Sequence, residues 1–125
     1  MKSKNMFPIA LQLTLILLTS CSNNDNLNVR VKDSDTQYTF TAQYDRGKTI
    51  AVQQYVNAML QPNRIFADHN EQVEKDIKLT DGAAFYLESS PGDLTIEFEK
   101  QKNSKAAYSK IRKLCQGIKE VVAGK

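Results

Sequence analysis

Residues 76–100 read DIKLTDGAAFYLESSPGDLTIEFEK. Apolar side chains alternate with polar ones through most of this stretch, the period-2 pattern of half-buried strands, and two turn signals interrupt it. Three strands are predicted, Asp76–Thr80, Ala83–Glu88 and Asp93–Lys100. Their register can be argued from the turns. A two-residue Asp81-Gly82 turn would pair Thr80 with Ala83 and send Ile77 and Leu79 to the face opposite Phe85 and Leu87. A three-residue loop, Thr80-Asp81-Gly82, instead pairs Leu79 with Ala83 and Ile77 with Phe85. All the large apolar residues then share one face, and Gly82 supplies the left-handed bulge position. The second turn, Ser89-Ser90-Pro91-Gly92, reads as four residues. It pairs Leu87 with Leu94 and Phe85 with Ile96, so the apolar face stays in phase across the meander.

Working outward, Gln37–Tyr44 alternates in the same way, with Tyr38, Phe40, Ala42 and Tyr44 on one face. Asp45 suits a helix N-cap. Ala51, Val52, Tyr55, Val56, Met59 and Leu60 then recur at helical spacing until Gln61-Pro62-Asn63, where proline ends the ladder. Arg64–Glu74 is a polar connection. The strongest helix comes last. Ala107, Tyr108, Ile111, Leu114, Cys115, Ile118, Val121 and Val122 form one stripe, Asn103 or Ser104 can cap its start, and Gly124 follows its end. The expected fold is α+β, a two-layer sandwich with about four strands in an antiparallel or mixed sheet and two helices on one face. The order is β-α-β-β-β-α, in a single domain over residues 37–125. Residues 22–35, SNNDNLNVRVKDSD, read as a polar tether, in which Val29 and Val31 can form a short edge strand.

The first residues are of another kind. Lys2 and Lys4 precede an apolar stretch from Met6 to Leu18, too short for a spanning helix and of the length of a signal-peptide core. It ends in Leu18-Thr19-Ser20-Cys21, which resembles the lipobox of bacterial lipoproteins, a likeness confined to residues 1–21. Membership of that class implies that Cys21 takes a diacylglyceryl group and that residues 1–20 are cut away. The new amine is then acylated in most Gram-negative cells, so that two or three chains hold the protein in a membrane. Residues 21–36 would then be the lipidated cysteine and its tether. Ser22 resembles the sorting position of outer-membrane lipoproteins. Without residues 1–20, fifteen Lys/Arg face fourteen Asp/Glu, so the net charge of +3 over the full sequence is no argument for nucleic acid. With Cys21 lipidated, Cys115 is the only other cysteine and no internal disulfide is available.

Candidates for chemistry are few. Ala42–Thr49, AQYDRGKT, is one substitution from the phosphate-binding loop G-x-x-x-x-G-K-[ST]. Yet Tyr44 continues a strand face, and Asp45 puts a carboxylate where phosphates would sit. The acid-ended strand Ala83–Glu88 lies between tight turns rather than in a parallel crossover. No nucleotide and no cofactor is therefore expected. His69, between Asp68 and Glu71, lacks a second histidine or a suitable cysteine, so no metal is expected. Cys115 on an apolar stripe reads as a buried, inert thiol. Glu88, Asp93, Glu97 and Glu99 read as a solvated sheet face rather than a glycosidase pair.

Charge is distributed unevenly. Residues 68–99 carry nine acids against two bases, and residues 100–125 carry eight bases against one acid. Intramolecular balance is the first explanation, and an acidic partner is the second. The expected function is a lipid-anchored protein of the cell envelope, placed in the outer membrane, acting as a small non-catalytic binding or assembly module. The alternative is an envelope enzyme or inhibitor acting on a neighbouring protein or glycan. The candidate partner surface is either the outer sheet face around Tyr86, Thr95 and Glu97 or the basic side of the last helix at Lys105, Arg112, Lys113 and Lys119. The candidate partners are the membrane, through lipid on Cys21, and an envelope protein or an anionic glycan or lipid.

Overall fold

The computed structural model describes residues 27–68 and 72–124. Along the chain run β1 (Asn28–Asp33), β2 (Gln37–Gln43), α1 (Thr49–Met59), β3 (Val73–Lys78), β4 (Ala84–Ser90), β5 (Asp93–Glu99) and α2 (Lys105–Val122). The sheet has the order β1-β2-β5-β4-β3, and every neighbouring pair is antiparallel. The class is α+β as expected, but the described sheet has five strands rather than about four, and no parallel pair makes it mixed.

The added strand is β1, in a segment read mainly as tether. It pairs Val29 with Ala42 and Val31 with Phe40, which makes a hairpin with β2. Ser34 closes that hairpin, its Oγ accepting the Gln37 amide at 3.1 Å. Two valines among Asn, Arg, Lys and Asp are a weak strand signal because an edge strand buries little and carries charge on its open side. Only Val29 in β1 is even half-buried.

The meander follows the predicted phase. Ile77 pairs with Phe85, the Leu79 amide donates to Ala83 at 2.8 Å, and the Gly82 amide donates to Leu79 at 2.9 Å. Gly82 has φ 97°, so the three-residue loop with a left-handed glycine is the one formed. At the second turn the register differs by two residues. Ser89 pairs with Leu94 and Leu87 with Ile96, which leaves Pro91-Gly92 as a two-residue turn with Gly92 at φ 83°. Proline followed by a positive-φ glycine is the order of a type II turn. A shift of two preserves the facing of every side chain. Ser89, read as turn, is therefore buried on the apolar face.

Tyr38, Phe40, Ala42, Phe85, Leu87, Leu94, Ile96 and Phe98 form the inner face, with Val73 and Ile77 at one edge. Val52, Val56 and Leu60 of the α1 segment and Ala107, Ile111, Leu114, Cys115, Ile118 and Val122 of α2 complete the core. Ser104 caps α2, its Oγ accepting the Ala107 amide at 3.0 Å. Asn103 does something else, clamping β4: its amide oxygen accepts from the Ala84 N–H at 2.8 Å, and its amide nitrogen donates to the Ala84 carbonyl at 3.0 Å. The two helices approach closely at Gly117, where a Cβ would lie 1.6 Å from the Tyr55 hydroxyl oxygen.

The AQYDRGKT stretch is spent on this architecture. Ala42 and Tyr44 are buried, and the Asp45 carboxylate accepts the Gly47 amide at 3.1 Å to start a 3-10 turn over Arg46–Lys48 before α1. Lys48 Nζ donates to the Val122 carbonyl at 3.1 Å. A cation there satisfies a free acceptor at the C-terminus of α2 and suits the negative end of its dipole.

Candidate functional site

Both helices cover the inner face, and the outer face carries the polar positions of each strand. Register places Arg30, Thr41, Thr95, Glu88 and Glu74 in one row across the sheet. Lys32, Thr39, Glu97, Tyr86 and Asp76 form the next row. Tyr86, Thr95 and Glu97, singled out from sequence, are therefore brought together, with Tyr86 directly opposite Glu97 on adjacent strands. The Tyr86 hydroxyl donates to Glu88 at 2.9 Å, and that carboxylate pushes the tyrosine pKa up to about 12. The face is graded in charge, with bases on β1, threonines on β2, and acids outnumbering bases on β5, β4 and β3. Glu74 and Glu88 pair directly, a like-charge juxtaposition that costs stability.

On α2, Lys105, Arg112, Lys113 and Lys119 are all exposed. They do not share a surface with Tyr86, because helix and outer face belong to opposite layers. Part of the charge asymmetry is balanced internally, since Lys110 bridges to Asp81 at 2.7 Å and Lys102 to Glu99 at 3.4 Å. Among the described residues, Lys105, Lys113 and Lys119 enter no ion pair. The Arg112 guanidinium lies 5.5 Å from the centre of the Tyr108 ring.

Beside these bases sits a cluster that sequence inspection missed. Lys100 Nζ bridges to Asp33 at 2.6 Å, and the Tyr108 hydroxyl donates to the other carboxylate oxygen. It fastens the end of the edge strand to α2. The bond from Lys100, then that from Tyr108, holds the Asp33 carboxyl below its usual pKa of 3.8. A depressed carboxylate pKa contributes stability above the unfolded value and loses it as pH falls through the folded one. Asp33→Asn is accordingly expected to lower the urea midpoint at pH 7, with the gap to the parent closing below about pH 3.8. A gap independent of pH would show that the carboxylate charge is not what holds β1 down.

A cavity of about 380 Å³ lies against α1, lined by four amides, Gln53, Gln54, Asn57 and Gln61, with Arg64 and Asp68 and the apolar Ala58, Phe66 and Ala67. The sequence signal for it is that α1 carries no charged residue at all. Asn57 shapes its wall by accepting the Ile65 and Phe66 amides at 2.9 and 3.0 Å. Such a lining can hold a polar ligand and offers hydrogen bonds rather than a nucleophile. Cys115 is buried, and burial pushes its thiol pKa up to about 12, so it stays protonated and unreactive in the fold. Among the described residues, no three His, Cys, Asp or Glu side chains are grouped to hold a metal ion, and no helix is long and apolar enough to cross a membrane. Cys21 and His69 lie outside the described residues.

No family model, curated protein or solved structure matches the chain.

Proposed function

We propose that this protein is a lipid-anchored component of the cell envelope, in the outer membrane, whose domain is a small non-catalytic binding or assembly module. The anchoring reading rests on the Leu18–Cys21 box behind a short charged and apolar leader. The binding reading rests on one observation above all. Both helices are committed to the same face of the sheet, which leaves a broad outer face with half-exposed Tyr86, Thr95 and Glu97 at its centre. A tyrosine ringed by carboxylates on a rigid sheet suits a protein partner presenting basic side chains. The ring gives contact area at low entropic cost, and the acids supply charge complementarity.

Two measurements separate the two parts of this proposal. Cys21→Ser is expected to abolish fatty-acid labelling and to release the protein from the membrane fraction; unchanged labelling and fractionation refute the anchor. A photo-crosslinking side chain at Tyr86 of the lipidated protein is expected to give a discrete adduct in its own envelope, lost when Glu97→Lys is added. A Tyr86 position that yields no adduct, or one indifferent to Glu97→Lys, refutes this face as the partner surface.

A further inference from the structure

The sandwich has two open edges, and they differ in charge. At one, β1 turns Arg30 and Lys32 to the outer face, and α2 brings Arg112 and Lys119 alongside from the helix layer. These four cations are exposed, and Val31 lies among them, 51% exposed. Asp33, the acid on this strand, is neutralised by Lys100 at 2.6 Å. Asp35, in the turn after β1, and Glu120 on α2 are the remaining exposed acids nearby. At the other edge, β3 turns Glu74, Asp76 and Lys78 to the outer face beside Glu88 of β4, and Lys75 is exposed as well, so the acids of this strand are matched by bases.

The basic edge is also the edge at which the chain enters the fold. Leu27, the first described residue, packs against the core immediately before β1. Five residues separate it from Cys21. At roughly 3.3–3.6 Å per residue, the six steps between the two span about 20 Å at most. A lipid on Cys21 would therefore hold Leu27, at the start of the β1 edge, within about 20 Å of its bilayer, while the β3 edge lies four further strand spacings of about 4.8 Å across the sheet.

We propose that the β1–α2 edge, built from Arg30, Lys32, Arg112 and Lys119 around Val31, rests on the anionic phospholipid headgroups of the membrane that holds Cys21. This deepens the lipid-anchor reading and rests on it. Anionic headgroups attract cations near the surface, and the attraction fades within a Debye length, about 8 Å at physiological salt. A tether this short lets the edge reach the headgroup layer, and contact with it there would orient the domain. The β3 edge then points away from the bilayer, and the face around Tyr86 stands beside it, open to a partner.

The test uses the chain from Ser22 onward, which contains every described element, so that no lipid contributes. Co-sedimentation is measured with vesicles of 30% phosphatidylglycerol in phosphatidylcholine and with phosphatidylcholine alone. Binding is expected to the anionic vesicles only and is expected to vanish in 0.5 M salt. Each cation near such a surface is worth about five-fold in partitioning. Combining Arg30→Gln, Lys32→Gln, Arg112→Gln and Lys119→Gln should therefore weaken binding on the order of a hundred-fold or more, with circular dichroism unchanged because all four side chains are exposed. Combining Glu74→Gln and Asp76→Gln should not weaken it. No binding to anionic vesicles, equal binding to neutral ones, or equal losses from the two edges would overturn the proposal. Fatty-acid labelling at Cys21 reports on the anchor separately, so a negative vesicle result with intact labelling counts against the orientation alone.

Discussion

Phe98→Ala is expected to cost about 3–5 kcal/mol of folding stability, read as a lower urea midpoint at an unchanged slope. Phe98 has no exposed surface. It sits on β5, the central strand, directly opposite Tyr38 on β2. Its ring centre lies 6.0 Å from that of Tyr108 on α2, and Tyr108 in turn meets Tyr38 edge-to-face at 5.8 Å. One side chain thus joins two strands and a helix, and none of these elements can collapse inward without losing its own pairing. The cavity left behind would stay open, which is why the upper part of the range for large-to-small changes applies. Total stabilities for domains of this size are of order 5–15 kcal/mol, so the variant stands near the edge of folding. A loss below about 1.5 kcal/mol would mean that the core around Phe98 repacks and that the aromatic cluster is not its keystone.

The second large effect is expected at a turn. Gly92 and Gly82 both have positive φ, 83° and 97°, so an alanine at either is strained by about 1–2 kcal/mol. They differ in their surroundings. A Cβ on Gly82 would meet nothing within 4 Å, whereas one on Gly92 would lie 3.0 Å from the Tyr44 carbonyl oxygen and 3.2 Å from Arg46 Cγ. Nor can the backbone retreat there. The Tyr44 amide donates to the Gly92 carbonyl at 2.9 Å, and the Gly92 amide donates to Thr49 Oγ1 at 3.0 Å. Gly92→Ala is therefore expected to cost at least about 1 kcal/mol more than Gly82→Ala, since strain and unfolded-chain entropy are shared and only the contact differs. Thermal unfolding of the two variants side by side checks this. Equal losses would show that the clasp between the turn, the end of β2 and the start of α1 yields easily.

These two cases also mark where the sequence stops being informative. Gly82 was readable, because a two-residue turn would send Ile77 and Phe85 to opposite faces and the three-residue loop does not, and that constraint is local. At Gly92 both a two- and a four-residue turn keep the faces in phase. Alternation cannot choose between them, and the choice falls to Pro91-Gly92 geometry and to Thr49, 43 positions away. The candidate site divides in the same way. Exposure of Tyr86, Thr95, Glu97 and the α2 bases follows from strand and helix periodicity. The edge cluster of Asp33, Lys100 and Tyr108 and the amide-lined cavity depend on which elements become neighbours, and no local pattern encodes that.

By itself the sequence determined the class of fold, the phase of the meander, the buried stripe of α2 and the strand-to-helix reading of AQYDRGKT, each resting on periodicity or on one residue's backbone geometry. Only the tertiary structure decided that β2 docks on β5, that β1 joins the sheet instead of remaining tether, and that Lys48 caps a helix more than seventy residues away. Pairing between distant strands is set by the sum of many weak burial terms over the whole core, so it becomes definite only when all the elements are present at once.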